Sequence, residues 1–125
     1  MLKQSLSLAA TLAIGALPLA AQQAPAAAPE QTITGQVVDI NCYTVNGAQG
    51  AGHKDCATAC ANKGVALAIL ASDGTLYIPV SGGMGDPQNP KLLPHVEGKV
   101  RVTGMTRTKG GLHTIEIKSI AAATT

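Results

Sequence analysis

The chain has 125 residues, with 9 Lys and Arg, 7 Asp and Glu, three Cys and two Tyr, and neither Phe nor Trp. This length predicts one domain. A formal charge of +2 gives no electrostatic reason to expect nucleic acid or an anionic membrane as a partner. Because Phe and Trp are absent, the rings on which single-stranded bases stack are also missing. Composition therefore argues against a nucleic-acid-binding protein.

Residues 1–21 have the pattern of a secretory signal peptide. Lys3 supplies the positive charge, residues 6–17 are mostly apolar but too short to span a bilayer, and small residues end at Ala21. We expect cleavage there, a periplasmic or secreted location, and no stable membrane insertion afterwards. A retained N-terminal anchor is the alternative. Residues 22–31 contain Gln, Ala, Pro and one Glu, which predicts a disordered tether.

Five strands are predicted in residues 32–120, followed by a tail at residues 121–125. The first strand covers residues 32–42 and changes its apolar phase between Val37 and Val38, which is typical of a bulge or bend, with Gly35 easing the geometry. The second and third are residues 65–71 and 76–80, joined by a turn at Asp73-Gly74. The fourth runs from Val100 to Gly104, and the fifth ends near residue 120 after a Gly-Gly turn.

A short helix is predicted between the third and fourth strands. Asn89 would cap it, Pro90 would occupy its first position, and Gly98 would close the segment. Five strands with a helix between the third and fourth predict a mainly β fold, a small five-stranded OB-like barrel. An open sheet or a sandwich is the alternative.

The insert between the first two strands carries all three cysteines. Cys42 is predicted to end the first strand, residues 43–52 to form a loop, and residues 53–64 to form a helix. At 3.6 residues per turn, His53, Cys56 and Cys60 share one helix face. We expect that face to meet Cys42.

Three chemistries fit this group of residues. The simplest is a disulfide from Cys42 to Cys56 or Cys60, which would leave one thiol unpaired. The second is a tetrahedral Cys₃His site made by Cys42, His53, Cys56 and Cys60, for zinc or monovalent copper. In that site Asp39 would accept a hydrogen bond from His53, and the alternative is that Asp39 caps the loop. The third is thiol-redox chemistry by the unpaired cysteine.

The insert also resembles a group of small exported bacterial proteins. The shared pattern is Asp-x-x-Cys-Tyr followed by Gly-His-x-x-Cys-Ala-x-x-Cys-Ala, and it is matched here at Asp39, Cys42, Tyr43, His53, Cys56 and Cys60. The similarity covers most of residues 34–77 and, more loosely, the last two strands. The resemblance implies that the protein is exported and carries a Cys/His motif. It implies nothing about catalysis.

The sequence therefore predicts an exported small binding module whose Cys/His cluster is a disulfide staple or a metal site. A thiol-redox protein and a protein–protein adaptor are the alternatives, and any protein partner is unknown. No Ser/His/Asp or paired-carboxylate arrangement favours an enzyme. His95, His113, Met84 and Met105 lack neighbours at ligand spacing, so we expect them to be surface or packing residues.

Overall fold

The computed structural model describes residues 27–124, which fold as a mainly β unit. The predicted signal peptide and the first part of the predicted tether lie outside the described residues. The strands are β1 (Glu30–Asp39), β2 (Leu67–Ala71), β3 (Leu76–Val80), β4 (Lys99–Lys109) and β5 (Leu112–Ala122). The helices are α1 (Ile40–Asn46), α2 (Lys54–Asn62) and α3 (Asn89–Leu92), with 3-10 turns at Ala51–His53 and Leu93–His95.

The five strands form one mixed sheet. β1 pairs antiparallel with β2 and β4, β2 pairs antiparallel with β3, and β4 pairs antiparallel with β5. β3 and β5 run parallel. The neighbour order is β1-β2-β3-β5-β4, and the sheet closes because β1 is the neighbour of both β2 and β4. Among the described residues, each strand therefore has a neighbouring strand on both sides. Closure hides the strand edges, which would otherwise invite aggregation.

β1 changes partners along its length, two residues before the phase change in its sequence. Residues from Glu30 to Gln36 pair with β4, while residues from Gly35 to Asp39 pair with β2. At the crossing, the backbone of Gly35 lies so close to the carbonyl of Leu70 that a Cβ atom would overlap it. A residue without a side chain is therefore required at the bend.

Several predicted boundaries differ from the observed ones: β2 begins at Leu67, two residues later than predicted, and β4 runs from Lys99 to Lys109, well beyond Gly104. β1 begins at Glu30, because that residue and Gln31 pair with Met105 and Gly104 of the long strand β4. The ordered strand thus extends into the predicted tether. β5 likewise continues to Ala122, two residues into the predicted tail, because Ala122 pairs with Val100. Pairing with a long neighbour extends both strands beyond their apolar patterns.

The core fills the closed sheet and extends under α2 and α3. Its fully buried members are apolar side chains from four strands and α3, among them Val37, Ile69, Leu92, Val100 and Ile115. Ala57 and Ala61 bring α2 against the same cluster. No helix among the described residues combines the length and apolar character needed to cross a bilayer.

Asn89 has a different role from the predicted N-cap. α3 begins at Asn89 itself, and its N-cap residue Gln88 makes no side-chain capping bond. The Asn89 side chain instead accepts a hydrogen bond from the Leu67 amide at 3.0 Å and donates to the carbonyls of Ala61 and Val65 at 3.2 and 2.7 Å. It therefore ties α3 to the end of α2 and the start of β2.

Candidate metal centre

Cys42 lies in a helix, so the prediction that it ends the first strand is wrong. β1 stops at Asp39, whose Oδ1 atom accepts hydrogen bonds from the amides of Asn41 at 2.8 Å and Cys42 at 3.1 Å. A carboxylate that satisfies the free amides at a helix start stabilises that helix. The segment predicted as a loop therefore begins with α1, and Cys42 occupies its first turn.

The chain then turns back so that α2 lies beside α1. Gly47 ends α1 in the left-handed conformation, with φ of 73°, and its amide contacts the carbonyls of Cys42 and Tyr43. The 3-10 turn that ends at His53 leads directly into α2. The predicted helix after His53 is confirmed in α2, which carries Cys56 and Cys60 one turn apart.

Donor atoms from these elements converge in two overlapping groups. The ligand atoms of Cys42, His53 and Cys56 all lie within 4.8 Å of one another, and so do those of Asp39, Cys42 and Cys60. Cys42 belongs to both groups and is therefore the centre of the cluster. Asp39 is buried, Cys56 is exposed, and the other three are half-buried. The cluster thus reaches from the interior to the surface.

All three cysteines are free thiols in the structure, and no pair of them is disulfide-bonded. Burial, followed by the negative charge of Asp39, raises the pKa of the Cys42 thiol. The pKa of the Cys60 thiol is raised to about 11, first because its S–H group faces the Asp39 carboxylate as a hydrogen-bond acceptor, and next by burial. Without a cation these two thiols stay protonated near neutral pH.

One oxygen of Asp39 has no regular hydrogen-bond partner. The residue is fully buried, its Oδ1 atom caps α1, and its Oδ2 atom is buried and unpaired. An oxygen of Asp39 lies within 4.8 Å of the Cys60 sulfur, yet Oδ2 has no hydrogen-bond partner among the described residues. An unpaired buried carboxylate oxygen is costly, and a bound cation would compensate it.

The predicted hydrogen bond between His53 and Asp39 is not formed. The Nδ1 atom of His53 lies instead 2.9 Å from Oε1 of Glu97, whose side chain is fully buried. Sequence reasoning missed Glu97 because it follows α3 by several residues and shares no motif with the cysteines. The spacing of His53, Cys56 and Cys60 gave no indication of it.

The other histidines and methionines considered in the sequence lie outside both donor groups. His113 packs edge-on against Tyr77, with ring centroids 5.9 Å apart, and its Nδ1 atom is 3.0 Å from the Thr108 hydroxyl. Met84 is fully exposed in the loop before α3. His95 belongs to neither donor group among the described residues, and Met105 is a half-buried residue of β4.

Comparison with known proteins adds no relative to this description. No family model, no curated protein and no solved structure matches the chain. The resemblance to small exported proteins therefore stays a prediction, and the functional argument depends on the geometry of the cluster.

Proposed function

We propose that the protein is an exported metal-binding module that holds a thiophilic ion in its Cys/His cluster. The observation that carries the proposal is the convergence on Cys42 of donor atoms from α1, α2 and the turn before α2, within 4.8 Å of one another in each group. The first group consists of the thiols of Cys42 and Cys56 and the imidazole of His53. The second consists of the thiols of Cys42 and Cys60 and the carboxylate of Asp39. Thiolate and imidazole donors favour zinc and monovalent copper.

Charge supports a cation at this position. Asp39 and Glu97 are both buried carboxylates, and the thiols of Cys42 and Cys60 lie within 4.8 Å of an Asp39 oxygen. If the thiols lost their protons without a metal, several negative charges would be confined together at high cost. A bound cation allows thiolates to form and compensates the buried Asp39 oxygen at the same time.

The raised pKa values favour a metal over thiol-redox chemistry. A redox or nucleophilic cysteine needs a lowered pKa so that the thiolate is available near neutral pH. The pKa values of Cys42 and Cys60 are raised instead. Thiol-redox activity by Cys42 or Cys60 is therefore the weaker alternative.

A disulfide between Cys42 and a cysteine of α2 is the competing state of the same site. Both Cys56 and Cys60 have their sulfur atoms within 4.8 Å of the Cys42 sulfur, so each is close enough to pair after a small movement. An oxidising compartment would favour that reaction when no metal is bound. The disulfide staple is thus the second candidate, and metal occupancy decides between the two.

The architecture and location in this proposal are an OB-like barrel in the periplasm or outside the cell. The strand order β1-β2-β3-β5-β4 with a parallel β3–β5 pair, and α3 between β3 and β4, support the OB-like class. The pattern of residues 1–21 and the resemblance of the insert to exported proteins support the location. An adaptor that binds another protein is the alternative use of the same scaffold.

Native mass spectrometry of the mature protein, purified from the periplasm without reductant, tests the proposal. We expect three thiols and a bound zinc or copper ion, identified by elemental analysis. The Cys42→Ser variant should lose the ion, since Cys42 belongs to both donor groups. Ala59→Ser, on the exposed face of α2, is the matched control and should retain it.

The same measurement separates the alternatives. A mass lower by two protons, with one alkylatable thiol and no metal, would establish the disulfide staple and overturn the metal proposal. Three free thiols without metal, also after incubation with Zn²⁺ or Cu⁺, would contradict both candidates.

A further inference from the structure

The carboxylate of Glu97 is a buried anion whose partners come from separate parts of the chain. Its side chain is 0% exposed, and Oε1 lies 2.9 Å from Nδ1 of His53. Oε2 accepts hydrogen bonds from the Gly50 amide at 2.7 Å and from the Gln36 side chain at 2.9 Å. The carboxylate therefore joins β1 to both ends of the turn that leads into α2.

The backbone at Glu97 adopts a conformation that a glutamate disfavours. Its φ of 59° lies in the left-handed region, where glycine and asparagine are the usual residues. The Glu97 amide donates to the Val37 carbonyl at 2.9 Å, and the Val37 amide donates to the Gly98 carbonyl at 3.0 Å, which hold this conformation. Local backbone preference does not account for a glutamate here, so its side-chain contacts are the reason for its presence.

The contact with Glu97 decides which nitrogen of His53 is available to a metal. A carboxylate only accepts hydrogen bonds, so a neutral imidazole must carry its proton on Nδ1 to satisfy the 2.9 Å contact. The lone pair is then on Nε2. Since His53 belongs to the donor group with Cys42 and Cys56, Nε2 is the atom left to complete that group.

We propose that Glu97 is a positioning residue of the metal centre, which fixes the ring and tautomer of His53 so that Nε2 serves as the ligand. The inference rests on the proposed function, because a positioning role requires an ion to position. A carboxylate behind a metal-bound imidazole also makes the imidazole a stronger donor. Through Gly50, the same carboxylate holds the loop between α1 and α2 against the sheet.

The first test needs no variant and no metal. A long-range ¹H–¹⁵N correlation spectrum of the metal-free mature protein, at mildly alkaline pH, distinguishes the two imidazole nitrogens of His53. We expect a proton on Nδ1 and none on Nε2. A His53 ring protonated mainly on Nε2 would overturn the inference, while metal binding by the cysteines would be untouched.

The second test measures Zn²⁺ affinity by competition with a chromophoric chelator. Glu97→Gln puts an amide N–H₂ group, itself a donor, among the donors of His53, Gly50 and Gln36. We therefore expect His53 to lose its fixed tautomer and Zn²⁺ to bind about 10- to 100-fold more weakly. Glu30→Gln is the matched control, since Glu30 is an exposed carboxylate that pairs with Lys118 and belongs to neither donor group. It should bind Zn²⁺ like the wild type.

The affinities of the wild type and of Glu97→Gln distinguish failure of the positioning role from failure of the metal site. Unchanged affinity in a folded Glu97→Gln protein would overturn the positioning role even if the wild type binds metal. If the wild type binds neither Zn²⁺ nor Cu⁺, the proposed function fails, and with it the metal role of Glu97, whatever the His53 spectrum shows. Should Glu97→Gln not fold, the wild-type tautomer still decides the matter.

Discussion

Asp39 caps the helix that carries Cys42: its Oδ1 atom accepts a hydrogen bond from the Cys42 amide at 3.1 Å. An oxygen of the same carboxylate also lies within 4.8 Å of the Cys60 sulfur on a different helix. One side chain thus sets the position of Cys42 and the electrostatic environment of Cys60.

Replacing Asp39 separates its two roles. We expect Asp39→Ala to lower the free energy of unfolding of the metal-free protein by about 1 kcal/mol, the usual value of a helix N-cap. Asp39→Asn keeps an oxygen that can cap α1, so its loss should be smaller. Urea unfolding followed by circular dichroism measures both. Equal stability of the wild type and Asp39→Ala would contradict this prediction.

The Cys60 thiol of the metal-free protein should react slowly with alkylating reagents. Its pKa is raised to about 11 by the Asp39 carboxylate and by burial, so its alkylation rate should rise up to that pH. Asp39→Asn removes the charge and should move the profile towards the ordinary value of 9.0. The rate is followed by mass spectrometry after peptide digestion. A wild-type profile centred near 9.0 would contradict this prediction.

The raised pKa of the Cys60 thiol predicts that the folded protein loses stability at alkaline pH. A thiol whose pKa is higher in the folded state keeps a proton that the unfolded chain releases. The stabilisation from Cys60 is therefore fully present below pH 9.0 and is lost as the pH rises to about 11. Unfolding in urea at a series of pH values should show this decline in the wild type and a weaker one in Cys60→Ala.

Asn89 should be important for stability although it belongs to neither donor group of the metal centre. Asn89→Ala removes three hydrogen bonds, and at about 1 kcal/mol each we expect the free energy of unfolding to fall by about 2–3 kcal/mol. Asn46→Ala is the control, because the Asn46 side chain makes a single exposed bond, to the Ala48 amide. A loss no larger than that of the control would show that Asn89 does not tie these elements together.

Gly35 and Gly52 form a matched pair for testing the bend in β1. A Cβ atom at Gly35 would overlap the Leu70 carbonyl, whereas a Cβ atom at Gly52 meets nothing within 4 Å. We expect Gly35→Ala to lower the free energy of unfolding by about 1–3 kcal/mol, in the range of overpacked sites. Gly52→Ala should have little effect. Thermal unfolding of both variants compares them directly, and equal melting temperatures would refute the close approach.

The amino-acid sequence by itself determined the features that depend on neighbouring residues. Alternating apolar residues placed the strands, and Asp73-Gly74 gave the turn between β2 and β3. The 3.6-residue period put Cys56 and Cys60 one turn apart on α2. These signals are local, because backbone geometry repeats over a few residues.

Only the tertiary structure decided what lies next to those residues. Glu97 is 44 positions from His53 and reaches it because the closed sheet brings the start of β4 to the end of β1. Asp39 was considered as a partner of His53, yet capping α1 directs its carboxylate to Cys42 and Cys60 instead. Contacts between distant residues depend on how strands pair and helices pack, which no short pattern encodes.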